Sequence, residues 1–256
     1  MSMLGRHHLM ISLGTVAPFL MPFLDDAGLA VMTVFFGVAV GSLIPDSDSS
    51  DAAIFHGNVR GLNGDIGGAV NNLFAPVFPF FGYTTKYLIY KPAVVFFDRL
   101  MFQEYSFSDK HRSFSHSILG VATMTLMTGV YLAPLLLLLE VFSFTYFTIF
   151  LSAYASGAFL HMLEDSCTKT GIKWNSPFSE TRLKGELTTS SKPEHVRRPR
   201  YMVYMLGTIS VATLLLANTE TYGMTDLKTA GAGFLLTGLA WILFALLAAE
   251  VELERE

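Results

Sequence analysis

Histidine and aspartate recur in this chain at the edges of apolar runs, at spacings that suit a shared divalent cation. His161 and Asp165 stand four residues apart at the end of one run, which puts them on one face of a helix, on adjacent turns. An imidazole nitrogen and a carboxylate so placed can hold one metal ion. His111 and His116 precede another run, five residues apart. That is too far round a regular helix to converge, so His111 is expected on the approach to the helix and His116 in its first turn. Asp46-Ser47-Asp48 reads as a turn whose two carboxylates can face a common ion or a pair of ions, and His8 precedes the first run. Mixed nitrogen and oxygen donors suit Zn2+ first, with Mn2+ or Fe2+ as alternatives. Such a centre lowers the pKa of bound water and makes hydroxide available near neutral pH. Arg112, permanently charged and fork-shaped, suits a phosphate or other anion beside it. Asp46 or Asp48 would then act as ligand or general base.

The elements that must position these groups are membrane helices. Of 256 residues, 52% are hydrophobic and 15% charged, with 22 Phe and 12 Met, whereas a soluble domain carries about 25% charge. Six runs read as spans: Leu9 to Leu24, Gly28 to Ile44, Ile118 to Leu139, Val141 to Leu163, Tyr201 to Ala217 and Ala230 to Ala249. Pro18 and Pro22 kink the first, and Asp25-Asp26 divide it from the second. A turn near Pro134 or Glu140 divides the third from the fourth. Gly, Asn and Asp between residues 45 and 72 signal loops. Residues 75 to 97 are apolar and aromatic but carry Lys86, Lys91 and three prolines; they read as an interfacial or re-entrant segment. The tail Glu250 to Glu256 reads as an acidic helix extension. No cleavable leader is evident after Arg6, and the single cysteine, Cys167, excludes an internal disulfide.

The expected fold is therefore all-α, a polytopic membrane protein of about six transmembrane helices in three hairpins. Residues 1–200 form a membrane-embedded core, and residues 201–256 a C-terminal hairpin with its tail. In this topology every one of the 17 Lys and Arg except Lys228 falls on one side, which the positive-inside rule makes cytoplasmic, with both termini there. The same side collects His8, Asp46, Asp48, His111, His116, His161 and Asp165.

Four motifs, in order, carry a resemblance: Arg6-His7-His8-Leu9, Ile44-Pro45-Asp46-Ser47-Asp48, His111-Arg112-Ser113-Phe114-Ser115-His116-Ser117, and His161-Met162-Leu163-Glu164-Asp165 followed by Gly171-Ile172-Lys173-Trp174-Asn175-Ser176-Pro177. Over most of residues 1 to 180 the chain resembles the LexA-regulated, membrane-bound, metal-dependent hydrolases of prokaryotic inner membranes, which are similar to zinc phospholipase C. The resemblance implies His8, Asp46, Asp48, His111, His116, His161 and Asp165 as metal ligands or their neighbours, and metal-dependent hydrolysis as the activity, without giving a substrate. The chain departs from that pattern at Ser49, where the family has His, and at Ser113, where it has Gly. A reduced metal site, or His56 as a substitute ligand, would follow from the first departure.

Plainer roles suffice for other residues. His7, His56 and His195 read as interfacial or hydrogen-bonding groups, and Asp25, Asp26, Asp51 and Asp65 as turn or cap residues. Glu164, one position off the His161–Asp165 face, reads as a supporting residue, and Cys167 as packing with a weak ligand option. The basic stretch Lys192 to Arg200 reads as a juxtamembrane anchor for anionic lipid, not as a nucleic-acid site. The expected function is hydrolysis of a lipid or lipid-linked phosphoester at the cytoplasmic face. The alternative is a non-enzymatic metal-binding membrane protein, a sensor or transporter component.

Overall fold

Proline bends the first apolar run into a hairpin. In the computed structural model, which describes residues 5–56, 68–69, 71–72, 75–100, 114–188, 190, 192–217 and 225–255, helix α1 (Gly5–Leu20) ends in a 3-10 turn, Met21–Phe23, and α2 (Leu24–Gly41) follows at once. Pro22 presets the backbone of that turn, and Ala27 departs from helical geometry (φ −136°, ψ 36°). Asp25 and Asp26, in the first turn of α2, complement its dipole. Five helical stretches among the described residues are long and apolar enough to cross a membrane, and the first of them, Gly5–Asp48, is this hairpin. Counting its two arms, the apolar helices number six, as expected. The others are α5 (Ile118–Leu138), α6 (Phe144–Ser166), α7 (Pro193–Ala217) and α8 (Asp226–Leu243).

Each turn has a local cause. Ser117 caps α5 by accepting the Gly120 N–H at 3.0 Å, one of the orphan donors of a helix start. The α5–α6 turn passes through Glu140 at φ 58°. Thr225 caps α8. Helix α7 starts eight residues before the expected Tyr201, so Arg197, Arg198 and Arg200 ride on its first turns.

In hydrocarbon, helices associate through close packing of small residues rather than through burial from water. Gly37 and Gly41 of α2 face Ala153, Tyr154 and the α6 backbone, while Gly157 of α6 faces the Val38 carbonyl. This pair of helices forms the centre of the bundle. Helix α1 packs on the other side against α7 and α8, with Gly14 against Leu206 and Gly233 against the Pro18 carbonyl.

Residues 77–100 form one helical path: α3 (Val77–Thr84), a π-helical turn (Thr85–Tyr90) and α4 (Lys91–Leu100). Phe81 meets Phe36 and Phe150. Thr84 and Tyr131 share a hydrogen bond of 3.1 Å, and Phe97 and Tyr90 pack on Phe114. The segment leans along α5 and lies outside the five apolar stretches. Its lysines stay on aromatic faces: Lys86 sits 4.9 Å from the Phe55 ring centroid and Lys91 4.7 Å from that of Tyr87.

The C-terminal tail is a strand, not the helix extension expected. A π-helical turn, Phe244–Ala248, closes α8, and Glu250 at φ 49° breaks the helix. Strand β2 (Glu252–Glu254) then pairs antiparallel with β1 (Arg182–Lys184), Leu183 opposite Leu253. The tail's alternation of Glu with Val and Leu has period two, which suits a strand. Lys184 reaches Glu252 at 3.3 Å and Glu254 at 2.7 Å, surface contacts that solvent and salt screen.

Candidate metal centre

Four segments deliver side chains to one buried point at a common end of the bundle. Helix α1 supplies His8 in its first turns, and α6 supplies His161 and Asp165 near its end. A 3-10 turn after α2, Pro45–Asp48, supplies Asp46. Another 3-10 turn, Phe114–His116, supplies His116, which therefore precedes α5 instead of lying in its first turn as expected. His8, His116, His161 and Asp165 are each 0% exposed.

The donor atoms are spaced as a coordination shell would space them. His116 Nε2 lies 3.5 Å from Asp165 Oδ2 and 3.6 Å from Asp46 Oδ1. His161 Nε2 lies 3.7 Å from both Asp46 Oδ1 and Asp165 Oδ2, and His8 Nε2 3.6 Å from Asp165 Oδ1. The donors of His8, Asp46 and His161 lie within 4.8 Å of one another, as do those of His116, His161 and Asp165. Tetrahedral ligands at about 2.0–2.2 Å from a zinc ion would be separated by roughly 3.3–3.6 Å. These two overlapping groups could hold a metal ion.

Each imidazole is turned by its other nitrogen. His8 Nδ1 donates to Glu164 Oε2 at 2.7 Å, and Ser12 Oγ donates to Glu164 Oε1 at 2.8 Å. His161 Nδ1 donates to the Ser42 carbonyl at 2.7 Å. His116 Nδ1 donates to Ser115 Oγ at 2.9 Å, and that hydroxyl donates to Asp48 Oδ2 at 2.8 Å. With hydrogen on Nδ1 in all three, the neutral rings present lone pairs on Nε2 toward the same point. Two of those atoms, on His116 and His161, are 3.2 Å apart, a separation that a shared cation makes favourable. Burial by itself would lower the His116 pKa, but Asp165, Asp46 and Asp48 outweigh it and raise it to about 9. Without an ion His116 would therefore also carry a proton on Nε2, and the neutral, ligating form of the ring belongs to the site with a cation in that proton's place.

Of the residues expected from sequence, the fold brings His8, Asp46, His116, His161 and Asp165 together. Asp48 stands behind His116, 3.9 Å from Nδ1, where it orients the ring through Ser115. His111 and Arg112 lie outside the described residues. His56 has an exposed side chain and belongs to neither donor group, so it does not fill the place left by Ser49. Cys167 is a packing residue beside Leu187 and Ala249. Burial, with Glu164 and Asp165 adding to it, pushes its thiol up to about 12, so it stays protonated.

Ser12, Ser42 and Ser115 were not singled out by the sequence. The signal for Ser12 is its spacing of four from His8, which shares one helix face; the Ser42 carbonyl leaves no side-chain signature. Glu164, expected in support, orients His8. Partners of this kind tune affinity by about 10–100-fold. Glu164→Gln, which keeps the shape and removes the charge, is expected to weaken metal binding by that factor in competition with a metallochromic chelator. Unchanged affinity would show that the His8–Glu164 contact is only structural.

No curated protein and no solved structure matches the chain. The model of the family described as YdjM inner membrane protein matches residues 3–249. The chain belongs to this family of inner membrane proteins.

Proposed function

We propose that the protein is a metal-dependent hydrolase of the inner membrane, acting on a phosphoester of a lipid or lipid-linked substrate at the cytoplasmic face. The observation that carries this reading is the convergence of three Nε2 atoms on Asp46 and Asp165, with each Nδ1 hydrogen-bonded. Either overlapping group supplies the three protein ligands of a catalytic zinc site, and the full set of five suits Mn2+ or Fe2+. His161 belongs to both groups, its Nε2 has one lone pair and its Nδ1 is held by Ser42. Among the described residues, the two groups therefore share one ion.

A divalent ion held there supplies Lewis acidity and a water of lowered pKa. The protein's own groups do the rest. Asp46 and Asp165 balance the charge of the ion. Glu164, Ser42 and the Ser115–Asp48 pair hold the imidazoles in the ligating tautomer. Arg112, four residues before His116, is the proposed contact for the phosphate. The distribution of Lys and Arg supports placing this end of the bundle, and both termini, in the cytoplasm.

Full burial of four of the donors favours a second reading, a structural or sensory metal in a protein without catalytic activity. A panel of phospholipids and soluble phosphoesters, offered to the purified metal-loaded protein, separates the two. The first reading expects turnover that stops on chelation and in Asp46→Ala. A protein that retains its metal and hydrolyses none of the panel is a metal-binding protein only.

A further inference from the structure

A cleft of ≈ 1130 Å³ opens in the membrane-spanning part of the bundle, beginning beside the metal centre. Ile118, two residues after His116, and Met162, next to His161, line its near end, and Ala133 and Phe147 its far end. From Ile118 to Ala133 is fifteen residues of α5, about 22 Å. The hydrocarbon half of one leaflet is about 15 Å deep, so the cleft accommodates an extended alkyl chain.

The lining divides into two grooves. On α6, positions 147, 151, 155, 159 and 162 fall on one flank, and 153 and 160 on the other, about 150° round the helix, with 156 on the ridge between. The first flank lies toward α5, whose Ala122 lines the cleft and whose Gly129 meets Leu151 and Phe147; on the second, Ala153 clusters with Val16 and Val38 of the first hairpin and with Leu160, and Phe234 and Gly238 of α8 line the same cleft. Ser156, between them, turns its hydroxyl back onto the Ser152 carbonyl at 2.8 Å, so the ridge offers hydrocarbon. Small-molecule pockets reach about 1,000 Å³, and a cleft above that size, apolar and forked, suits two chains on one headgroup.

We propose that the two grooves hold the two acyl chains of a membrane phospholipid, which straddles α6 with its headgroup at the end of the helix that carries His161 and Asp165. This rests on the hydrolase reading for the meaning of the headgroup position; the chain site itself needs no metal. Ala122 and Gly238 are the places to test it. Ala122 is exposed, and a Cβ at Gly238 meets no atom within 4 Å, so a large side chain at either fills a groove without disturbing the helices.

The full-length protein, in nanodiscs of phosphatidylethanolamine and phosphatidylglycerol, is irradiated with a trace of phosphatidylethanolamine carrying a diazirine in each acyl chain. Adducts are mapped by mass spectrometry. They are expected to concentrate on α5, α6 and α8 residues of the grooves, and Ala122→Trp and Gly238→Trp each to lower labelling of their own groove about tenfold. Metal content stays as in the parent, and Leu247→Trp, on an exposed face, changes neither. Adducts spread as densely over Leu138 and Leu247 as over the grooves would overturn the proposal, as would labelling untouched by both blocking variants. If either variant fails to fold, the adduct map of the parent decides. His161→Ala separates this from the catalytic reading: grooves labelled normally in a protein that hydrolyses nothing leave the chain site standing, whereas turnover without groove labelling removes the chain site alone.

Discussion

Replacing His161 by alanine is expected to empty the metal centre. The purified parent protein should carry one divalent transition metal per chain by elemental analysis, and His161→Ala should carry none after dialysis. His161 is the donor common to both groups, so its loss leaves neither complete. Orienting partners alone are worth about 10–100-fold in affinity, and loss of a ligand should exceed that. The ion also stabilises the folded chain: at a free metal concentration of 100 Kd the gain is about 2.7 kcal/mol. Chelation should therefore lower the melting temperature of the parent and leave that of His161→Ala where it was. His56→Ala and His195→Ala, at residues outside both donor groups, should retain metal. A parent protein free of metal, or a variant that still holds it, would defeat the assignment.

Gly41→Val is expected to cost more than any lipid-facing substitution. A Cβ at Gly41 would sit against the Tyr154 carbonyl oxygen, far inside contact distance, with the carbonyl carbon and Cα of Tyr154 also close. Backbone cannot rotate away as a side chain can, so α2 must separate from α6. Ordinary overpacking costs about 1–3 kcal/mol, and forcing apart the central helix pair should exceed about 3 kcal/mol in detergent unfolding. The same movement displaces Ser42, whose carbonyl orients His161, and with it Asp46. Metal should therefore be lost together with stability. Gly231→Val is the comparison, because nothing lies within 4 Å of a Cβ there, and its melting temperature should stay near that of the parent. Equal stability of the two variants would mean that the close approach of α2 and α6 is not what holds the centre.

Much of this architecture was legible because its causes are local. Long apolar runs must become helices in hydrocarbon, where unpaired backbone groups cost several kcal/mol each. Pro22, Glu140 and Ser117 mark turns and a cap by their own chemistry. His161 and Asp165 share a face because a helix has 3.6 residues per turn, and three hairpins bring His8, Asp46 and His116 to the same end. What each side chain touches there depends on atoms from other helices. Asp46 and Asp48 look equivalent in a turn, yet one faces His161 and the other the back of His116, because the 3-10 turn points them apart. The Ser42 carbonyl became a partner of His161 only when α2 met α6. The tail became β2 because β1 lay beside it; a period-two pattern of a few residues specifies a strand only when an edge is present to pair with. Composition and periodicity thus determined which segments are apolar enough to cross the membrane and which of their ends carry the histidines and aspartates, while tertiary packing decided which of those side chains meet and the partner of each nitrogen and oxygen.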